Sequence, residues 1–521
     1  MPDTNLPVEP IPFKTEEAEP SSEEAPKIPS VPAFEPLSPT PEPPPQEASL
    51  PPLSAQPPQP EVSEEAKTFL AGGGGSGFLG ALKKIFLILL ILALLGGIAG
   101  LVYKYLLPRL QLTGQKEVTF TYWGLWEEDN IISGIITDYQ QDHPNIKINY
   151  ERQSHKDYRE RLQSALARGD GPDVFRFHNT WVPMLKNELA SVPAKTFDAA
   201  SFEATFYPVA RNDLRVGSSY VGIPLEIDGL ALFVNTEIFK AAAKTVPKTW
   251  EDLRRTALEL TVKDSQGQIQ IAGVALGRTE NIDYWSDILA LMMLQNGADL
   301  TKPDTCVQQA GKEICLGPDA LTYFTIFAKV DGVWDKTLPP STAAFAGGKL
   351  AMYFGPSWAA FEIKRASPKL AFEIYPVPQL PETNITWASY WAEGVYSKSK
   401  NQEAAWEFLN YLSTKESLQK LYQAASQTRL FGEPYSRVDM AGLLETQPYV
   451  GAYVKQAPMA RSWYLASRTF DNGLNDKIIQ YFEDAVNAVN QGKSAKEALG
   501  TTRQGVSQIL AQYGLASAVV R

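Results

Sequence analysis

The fold is decided by residues 118–150, which read VTFTYWGLWEEDNIISGIITDYQQDHPNIKINY. Apolar residues alternate with threonine at its start, as in a strand with one buried face. Isoleucines spaced for one helical face follow, with Asp129 or Asn130 as the expected N-cap and Pro144 as the limit of the helix. Alternation then returns up to Tyr150. The stretch therefore predicts a strand, a helix and a second strand.

The same pattern continues to residue 177. A second helix with one apolar face ends at Gly169, and VFRF at 174–177 is a third strand. A β-α-β-α-β run predicts a parallel sheet covered by helices on both faces, which is an α/β fold. Ligands of such sheets bind beyond the carboxyl ends of the strands. We therefore expect the loops at 123–129 and 178–181, which both carry tryptophan beside polar groups, to lie at a binding edge.

The first 66 residues differ in composition from the rest. They contain 19 of the 39 prolines, and 13 acidic residues against two lysines. The resulting charge of −11 equals that of the whole chain, so the low isoelectric point describes this tail and says nothing about the partners of the folded part. No nucleic-acid partner is expected. Such a segment buries too little apolar surface to offset the entropy of ordering it. Residues 1–82 are predicted to be a disordered tail with a glycine linker, either a docking segment for proline-binding modules or a plain spacer.

An uncharged run of 19 residues extends from Ile85 to Tyr103. As a helix it is roughly 28 Å long, close to the roughly 30 Å hydrocarbon core of a bilayer. We predict a single transmembrane helix at 83–105, a linker at 106–116, a cytoplasmic N-terminus and an extracytoplasmic domain at 117–521. The alternatives are a buried helix of a globular domain and a cleaved segment ending at Ala99.

Two cysteines bear on the compartment. Cys306 and Cys315 flank VQQAGKEI, in which Gly311 suits a turn, so the two thiols could meet across a small hairpin. A disulfide there indicates an oxidising compartment outside the cytoplasm. Two free thiols are the alternative.

Motifs of catalysis are missing from the sequence. It contains no G-x-S-x-G, no glycine-rich phosphate loop and no H-E-x-x-H, and the histidines at 143, 155 and 178 lack metal-ligand spacing. A protein without enzymatic activity, cofactor or metal is expected. A tethered glycan hydrolase is the rival, because Glu127, Glu128 and Asp228 could supply its carboxyl groups.

Six segments carry a family resemblance. They are HPNIKINYE (143–151), YRERLQSALARGDGPDVF (158–175), GIPLEIDGLALFVNTEIF (222–239), PKTWEDL (247–253), FAGGKLAMYFGPSW (345–358) and SKNQEAAWEFLNYLST (399–414). In this order they resemble the family 1 extracellular solute-binding proteins, the maltose-binding-protein-like receptors of ABC sugar importers. The resemblance implies a two-lobed periplasmic-binding-protein fold of type II. Its first lobe would take about 117–228 and 381–425, and its second about 229–380 and 430–521.

The resemblance also implies a function. A monomeric receptor would close around a carbohydrate, most simply an oligosaccharide, and deliver it to ABC permease subunits in the same membrane. A sensor or adhesin with the same fold is the alternative. The receptor's hinge carboxylate falls at Asp228, its cleft tryptophan at Trp358 and its stacking pair at Trp463 and Tyr464.

A sugar needs flat aromatic surfaces for its C–H faces and carboxylates or amides for its hydroxyls. The loop positions and the resemblance together predict the ligand-binding residues Trp123, Glu127, Glu128, Trp181, Asp228, Trp285, Trp358, Trp391, Trp463 and Tyr464. Core or surface packing is the alternative for each tryptophan. We assign Trp250 and Trp406 to packing and Asp173 to a structural turn.

Overall fold

The computed structural model describes residues 79–102, 104, 116–309 and 311–515. These residues fall into two units, one around the first helix and the other from Lys116 onward. Most of the predicted tail at 1–82 and of the predicted linker at 106–116 lies outside the described residues.

The first helix, α1, covers Leu79–Leu101 and contains most of the uncharged run. Several of its side chains, among them Leu92, Leu94 and Leu101, are exposed. Over the part of the chain that the structure describes, no helix combines the length and the apolar composition that a membrane crossing needs. A spanning helix at 83–105 stays a prediction.

Strands and helices alternate along the second unit. The strands are β1 (Val118–Gly124), β2 (Ile146–Arg152), β3 (Val174–His178), β4 (Arg215–Val216), β5 (Ser219–Tyr220), β6 (Ile223–Pro224), β7 (Ala231–Asn235), β8 (Val262–Lys263), β9 (Ile269–Val274), β10 (Cys306–Gln309), β11 (Lys312–Cys315), β12 (Leu350–Gly355), β13 (Phe372–Tyr375), β14 (Thr386–Trp387), β15 (Trp391–Val395) and β16 (Ala460–Arg461). The helices are α2 (Asp129–Asp142), α3 (Tyr158–Arg168), α4 (Val182–Leu185), α5 (Ala199–Thr205), α6 (Pro208–Asp213), α7 (Thr236–Ala241), α8 (Trp250–Leu260), α9 (Trp285–Gln295), α10 (Leu316–Lys329), α11 (Ser341–Ala346), α12 (Ala359–Ala366), α13 (Gln402–Leu412), α14 (Lys415–Thr428), α15 (Gly451–Gln456), α16 (Leu474–Asn490) and α17 (Ala495–Gln512). Short 3-10 turns cover Asn179–Trp181, Val438–Leu443 and Ala457–Met459.

The first sheet has the strand order β2-β1-β3-β15-β6. Strand β1 pairs in parallel with β2 and β3, whereas β15 is antiparallel to β3 and β6. The predicted parallel β-α-β-α-β run is therefore confirmed. Helix α2 covers the sheet with the isoleucine face that the sequence indicates, Ile131, Ile132, Ile135, Ile136 and Tyr139.

The N-cap prediction for α2 is wrong. The helix begins at Asp129 with Glu128 as N-cap, and no side-chain oxygen caps it. Asp129 lies in the first turn, where its negative charge interacts favourably with the helix dipole. The Glu128 carboxylate approaches the Arg152 guanidinium at 3.4 Å instead of the helix amides.

Asp173 has the structural role that the sequence predicts. Its side chain accepts hydrogen bonds from the Thr121 amide at 3.0 Å and from the Ser399 hydroxyl at 2.5 Å. It therefore ties the turn before β3 to β1 and to the segment after β15.

The second sheet has the order β13-β7-β12-β9-β8, in which β9 and β12 are parallel and the other neighbours antiparallel. Trp250 is 1% exposed and stacks on Phe354, with ring centroids 5.5 Å apart. Trp406 is also 1% exposed, so both tryptophans pack in the core as predicted. Trp334 is fully buried and donates its indole N–H to Asn281 at 2.9 Å.

We call the first sheet with α2, α3, α13 and α14 the first lobe. The second lobe is the second sheet with α8 to α12 and with α16 and α17, which pack against α10. The residue boundaries that the sequence predicts for the lobes stay a prediction.

The backbone passes between the two sheets in extended segments that lie side by side. Isolated bridges pair Glu226 with Tyr435 and Gly229 with Ala388. The approach at Gly229 is so close that an added Cβ would lie 1.8 Å from the Trp387 carbonyl oxygen. Only glycine fits this position, because any side chain would displace a crossing segment.

The predicted hairpin lies at 306–315. Strands β10 and β11 are antiparallel, Cys306 pairs with Cys315 in register, and the two side chains form a disulfide. Gly311 has a φ of 76° in the connecting turn. The disulfide prediction is confirmed.

A buried ion cluster joins the strands of the first sheet. The Arg176 guanidinium on β3 lies 2.6 Å from a Glu127 carboxylate oxygen and 2.6 Å from one of Glu393 on β15. Burial opposes ionisation of Glu127, but Arg176 more than compensates and lowers its pKa. The cluster fixes the loop after β1 against β3 and β15.

Replacing Arg176 by methionine should lower the free energy of unfolding by about 3–5 kcal/mol at neutral pH, because it leaves two buried carboxylates without a cation. The matched control is Arg152→Met, which removes an exposed partner of Glu128 and should change stability by less than about 1 kcal/mol. Urea unfolding of both variants measures the difference. Equal losses would contradict the role given to the buried cluster.

Candidate functional site

A cavity of about 470 Å³ lies between the first and second lobes. Sites for small ligands in proteins commonly enclose about 300–1,000 Å³. Residues of both lobes and of the crossing segments form its wall. They are Trp126, His155, His178, Glu226, Asp228, Gly229, Leu230, Tyr284, Asp287, Pro356, Trp358, Phe361, Glu362, Arg365, Ser389, Trp391, Arg429, Glu433, Ser467, Arg468 and Phe470.

Indole rings form the aromatic wall contributed by the first lobe. Trp126 and Trp391 meet edge to face with centroids 5.4 Å apart. Behind them, Trp181 is 1% exposed and lies 5.3 Å from Trp391, again edge to face. Trp391 is thereby held between a buried ring and a ring of the cavity wall, so its orientation is set before a ligand arrives.

The second lobe contributes a wall built on one guanidinium. The Arg468 guanidinium carbon lies 5.0 Å from the centroid of the Tyr284 ring and 5.4 Å from that of Trp358. The same guanidinium lies 2.7 Å from the Asp283 carboxylate. Cation–π contacts and the ion pair together hold Trp358 and Tyr284 as flat surfaces on the cavity.

Asp228 ties a crossing segment to the loop that carries Trp358. Its carboxylate accepts hydrogen bonds from the amides of Gly229 at 2.8 Å and Ser357 at 3.0 Å, and from the Ser357 hydroxyl at 2.8 Å. Burial raises the pKa of Asp228 to about 7, although these hydrogen bonds oppose the shift. The carboxyl group at the cavity wall is thus poised between its two protonation states near neutral pH.

Asp287 has a similar environment. It accepts hydrogen bonds from the Trp387 indole at 2.8 Å and from the Ser467 amide at 3.1 Å. Burial raises its pKa to about 6 against these hydrogen bonds.

A third acidic group, Glu226, lines the cavity where the crossing segments pass between the lobes. Burial, followed by the charge of Glu433, raises the pKa of Glu226 well above its usual value. Glu433 itself pairs with Arg429 at 2.6 Å. Burial and Glu433 thus favour the neutral form of Glu226, in which a carboxyl group can both donate and accept a hydrogen bond.

His178 is a neutral hydrogen-bonding group. Its ring nitrogens lie 2.8 Å from the Thr180 hydroxyl and 3.0 Å from the Ser389 hydroxyl. Burial lowers the pKa of His178 to about 3. The ring therefore carries no charge at the pH of most natural environments.

Comparison with known proteins decides the family. The model of the bacterial extracellular solute-binding proteins matches residues 124–419, more than half of the chain. The chain belongs to this family. The resemblance inferred from the six sequence segments is confirmed.

Proteins similar to this solute-binding protein include sugar-binding proteins. A multiple sugar-binding protein of Streptococcus mutans is 23% identical over 320 residues, 59% of this chain and 74% of its own. A cyclo/maltodextrin-binding protein solved with maltotetraose has a TM-score of 0.61 at 16% identity, over 76% of this chain and 98% of its own. The sugar-binding protein MalE of Xanthomonas citri gives 0.61 at 18%, with the same coverage. Structures this distant in sequence support the two-lobed α/β fold and no more.

Three of the predicted ligand-binding residues meet in the cavity of this solute-binding protein. They are Asp228, Trp358 and Trp391. They come from a crossing segment, from the loop after β12 and from the start of β15. The prediction that strand ends and crossing segments supply the site agrees with this placement, while binding by these residues stays a prediction.

Three others lie in the predicted first loop but outside the cavity wall. The Trp123 indole donates to Glu151 at 2.8 Å across β1 and β2. Glu127 is held by Arg176, and Glu128 by Arg152. In this loop Trp126 faces the cavity instead.

The remaining four are also away from the cavity wall. Trp181 supports Trp391 from behind, and Trp285 is a buried residue at the start of α9. Trp463 and Tyr464 line a second cavity of about 300 Å³, together with Asn179, Asp213 and Tyr513. The structure does not bring this pair together with Trp358.

Sequence reasoning missed much of the second-lobe wall, including Tyr284, Phe361, Arg468 and Phe470. Tyr284 precedes the predicted Trp285, and the helix that starts there turns Trp285 into the core. Placing the start of the helix at Trp285 would have left Tyr284 in the preceding loop, which could have identified it as a candidate for the cavity wall. Arg468 and Phe470 lie on an irregular segment, for which periodicity carries no signal.

Asp228→Asn should stabilise the protein at about pH 8 and have little effect at about pH 4. The folded pKa near 7 exceeds the unfolded value of about 4, so the penalty for ionising the buried carboxyl is absent below about pH 4 and complete above about pH 7. The expected gain at pH 8 is on the order of 2–4 kcal/mol, because asparagine keeps an acceptor oxygen and carries no charge.

Denaturant unfolding of both proteins at the two pH values measures this gain. Asp287→Asn is the companion variant, with a smaller gain at pH 8 because its pKa is nearer to the ordinary value. A gain of the same size at both pH values would show that burial of charge is not its cause.

Proposed function

We propose that this solute-binding protein is a membrane-anchored extracytoplasmic receptor that captures a carbohydrate, most simply an oligosaccharide, for an ABC importer. The observation that carries the proposal is the cavity wall. Flat rings from both lobes, those of Trp126, Trp391 and Trp358, stand beside buried carboxyl groups. Rings suit the C–H faces of a sugar, and carboxyl groups suit its hydroxyls.

The chemistry of the wall fits a neutral polyhydroxylated ligand. Burial favours the neutral form of Glu226, which can donate as well as accept hydrogen bonds, and so can the Ser389 hydroxyl beside His178. The Arg468 and Arg429 guanidiniums are matched by Asp283 and Glu433. Sugar hydroxyls donate and accept at once, so mixed partners of this kind can satisfy them without a net charge on the ligand.

The sugar-binding relatives support the same proposal. The names of the Streptococcus mutans protein and of the Xanthomonas citri protein both specify sugar binding. Import needs permease subunits as partners, and a receptor of this kind delivers its ligand to them. We propose a monomer, since one chain supplies both walls of the cavity.

Trp358→Ala and Trp391→Ala should each weaken binding by about tenfold or more, because each removes a flat face of the cavity. The full-length chain is titrated by calorimetry with maltotetraose, mannotriose, cellotriose and chitotriose. Trp123→Ala removes an indole outside both cavities and is the matched control, expected within about twofold of the parent. Trp463→Ala tests whether the second cavity takes part.

Two experimental outcomes would contradict the proposed receptor function. Failure of a broad panel of mono- and oligosaccharides to bind would remove the carbohydrate from the proposal. Release of shorter saccharides with time, followed by chromatography of the same samples, would instead indicate the tethered glycan hydrolase.

The anchor is a separate part of the proposal. We infer that residues 83–105 span the membrane once, with the N-terminal tail in the cytoplasm, from the uncharged run of 19 residues. Deleting 85–103 should move the protein from the carbonate-resistant membrane pellet to the supernatant. A control deletion of equal length, residues 41–59, should leave it in the pellet. A protein that stays in the supernatant without any deletion refutes the anchor.

A further inference from the structure

Backbone strain is concentrated at one contact between the lobes. Among the described residues, seven that are not glycine have a positive φ. Four of the seven lie here, namely Asp157 (52°), Arg468 (56°), Phe470 (53°) and Asn472 (44°). Residues with a Cβ avoid this region, and they keep such angles only when their surroundings enforce them.

The segment 467–473 is fastened at both ends to the second lobe. Its first amide, that of Ser467, donates to Asp287 at 3.1 Å, and Arg468 pairs with Asp283 at 2.7 Å. At its other end the Asp471 carboxylate is fully buried and accepts from the amides of Gly473 and Asn475, each at 2.9 Å. The segment is thus a strap over the start of α16.

The middle of the segment is held by the first lobe. The Asp471 carbonyl accepts from the Arg159 guanidinium, and the Asn472 side-chain amide donates to the Asp157 carboxylate at 3.3 Å. Just beyond the segment, the Asn475 side-chain amide donates to the Thr180 hydroxyl at 2.7 Å.

A ring contact brings the same segment to the cavity. The ring centroids of Phe470 and of His155 in the first lobe are 4.7 Å apart. His155, Arg468 and Phe470 all line the cavity. The strained residues therefore stand where a ligand and the opposite lobe meet the segment together.

We propose that segment 467–473 is a strained latch: the left-handed angles of Phe470 and Asn472, and that of Asp157 opposite them, are enforced by the contact between the lobes, so the empty receptor is biased toward separation of the lobes. When the lobes separate, the hydrogen bonds to Arg159, Asp157 and Thr180 are lost. The backbone of the segment can then leave its left-handed angles. A ligand that touches Arg468 and Phe470 adds contacts that exist only with the latch engaged, which shifts the population toward closure. The inference rests on the proposed function for its ligand, but the strain itself is a property of the empty protein.

Paired substitutions isolate the strain. Phe470→Gly and Phe470→Ala both remove the ring, and Asp157→Gly and Asp157→Ala both remove the carboxylate. Only glycine adopts a positive φ at no steric cost. The ratio of closed to open molecules should therefore be about threefold or more higher in each glycine variant than in its alanine partner.

The measurement needs no sugar. Spin labels on cysteines placed at Gln141 of α2 and Asp484 of α16 report the distance between the lobes in the full-length chain, while Cys306 and Cys315 remain joined. Ala243→Gly is the matched control. It has a φ of 51° in the second lobe away from the cavity, so it should raise thermal stability and leave the distance distribution unchanged. Asn475→Ala, which removes a bond between the lobes, should favour the open form.

Equal populations within each glycine–alanine pair would overturn the latch, and so would glycine variants that are entirely open. Thermal melts of every variant show whether it is folded before its distances are compared. A failed sugar panel would refute the proposed function and leave this result standing, so the two failures are distinguishable.

Discussion

The structure depends on the main-chain contact at Gly229. There a crossing segment lies so close to the Trp387 carbonyl that a side chain has no room. Because of that approach, Asp228 reaches the Ser357 amide and fixes the loop that carries Trp358. A cavity wall in the second lobe is thus positioned by a backbone packing constraint between the two sheets. Substitution at this glycine would disturb the crossing segments and the site together.

Buried carboxyl groups set the electrostatics of the cavity. Asp228 and Asp287 are paired with amides, a hydroxyl and an indole instead of with cations, and burial raises the pKa of both. Arg176 shows the opposite arrangement, since its two carboxylate partners lie within 2.6 Å in the first lobe. The carboxylates that hold the first sheet together are therefore paired with a cation, whereas Asp228 and Asp287 in the cavity wall are not. Ionising these two buried groups at neutral pH lowers the free energy of unfolding, but it leaves hydrogen-bonding groups in the cavity wall that a ligand can use.

Local patterns in the sequence predicted local structure well. The alternation in β1, the isoleucine face of α2 and the cysteine spacing at 306–315 each depend on neighbours in the chain, and each is found in the structure. The site was predicted less well because it is assembled over long separations. Trp123 and Trp126 belong to the same loop region, but the end of β1 at Gly124 decides which of them faces the cavity. The left-handed angles at Arg468 and Phe470 have no sequence signature, since neither residue type favours them.

The indole cluster of the first lobe gives the cavity an optical consequence. Trp181, Trp126 and Trp391 form a chain of edge-to-face contacts with centroids 5.3 and 5.4 Å apart. Transitions of rings this close couple, and the coupling depends on the angle between them. Any change in the angles between these rings would therefore change the ultraviolet circular dichroism. The three indole rings therefore act together as a chromophore whose spectrum depends on their relative orientation.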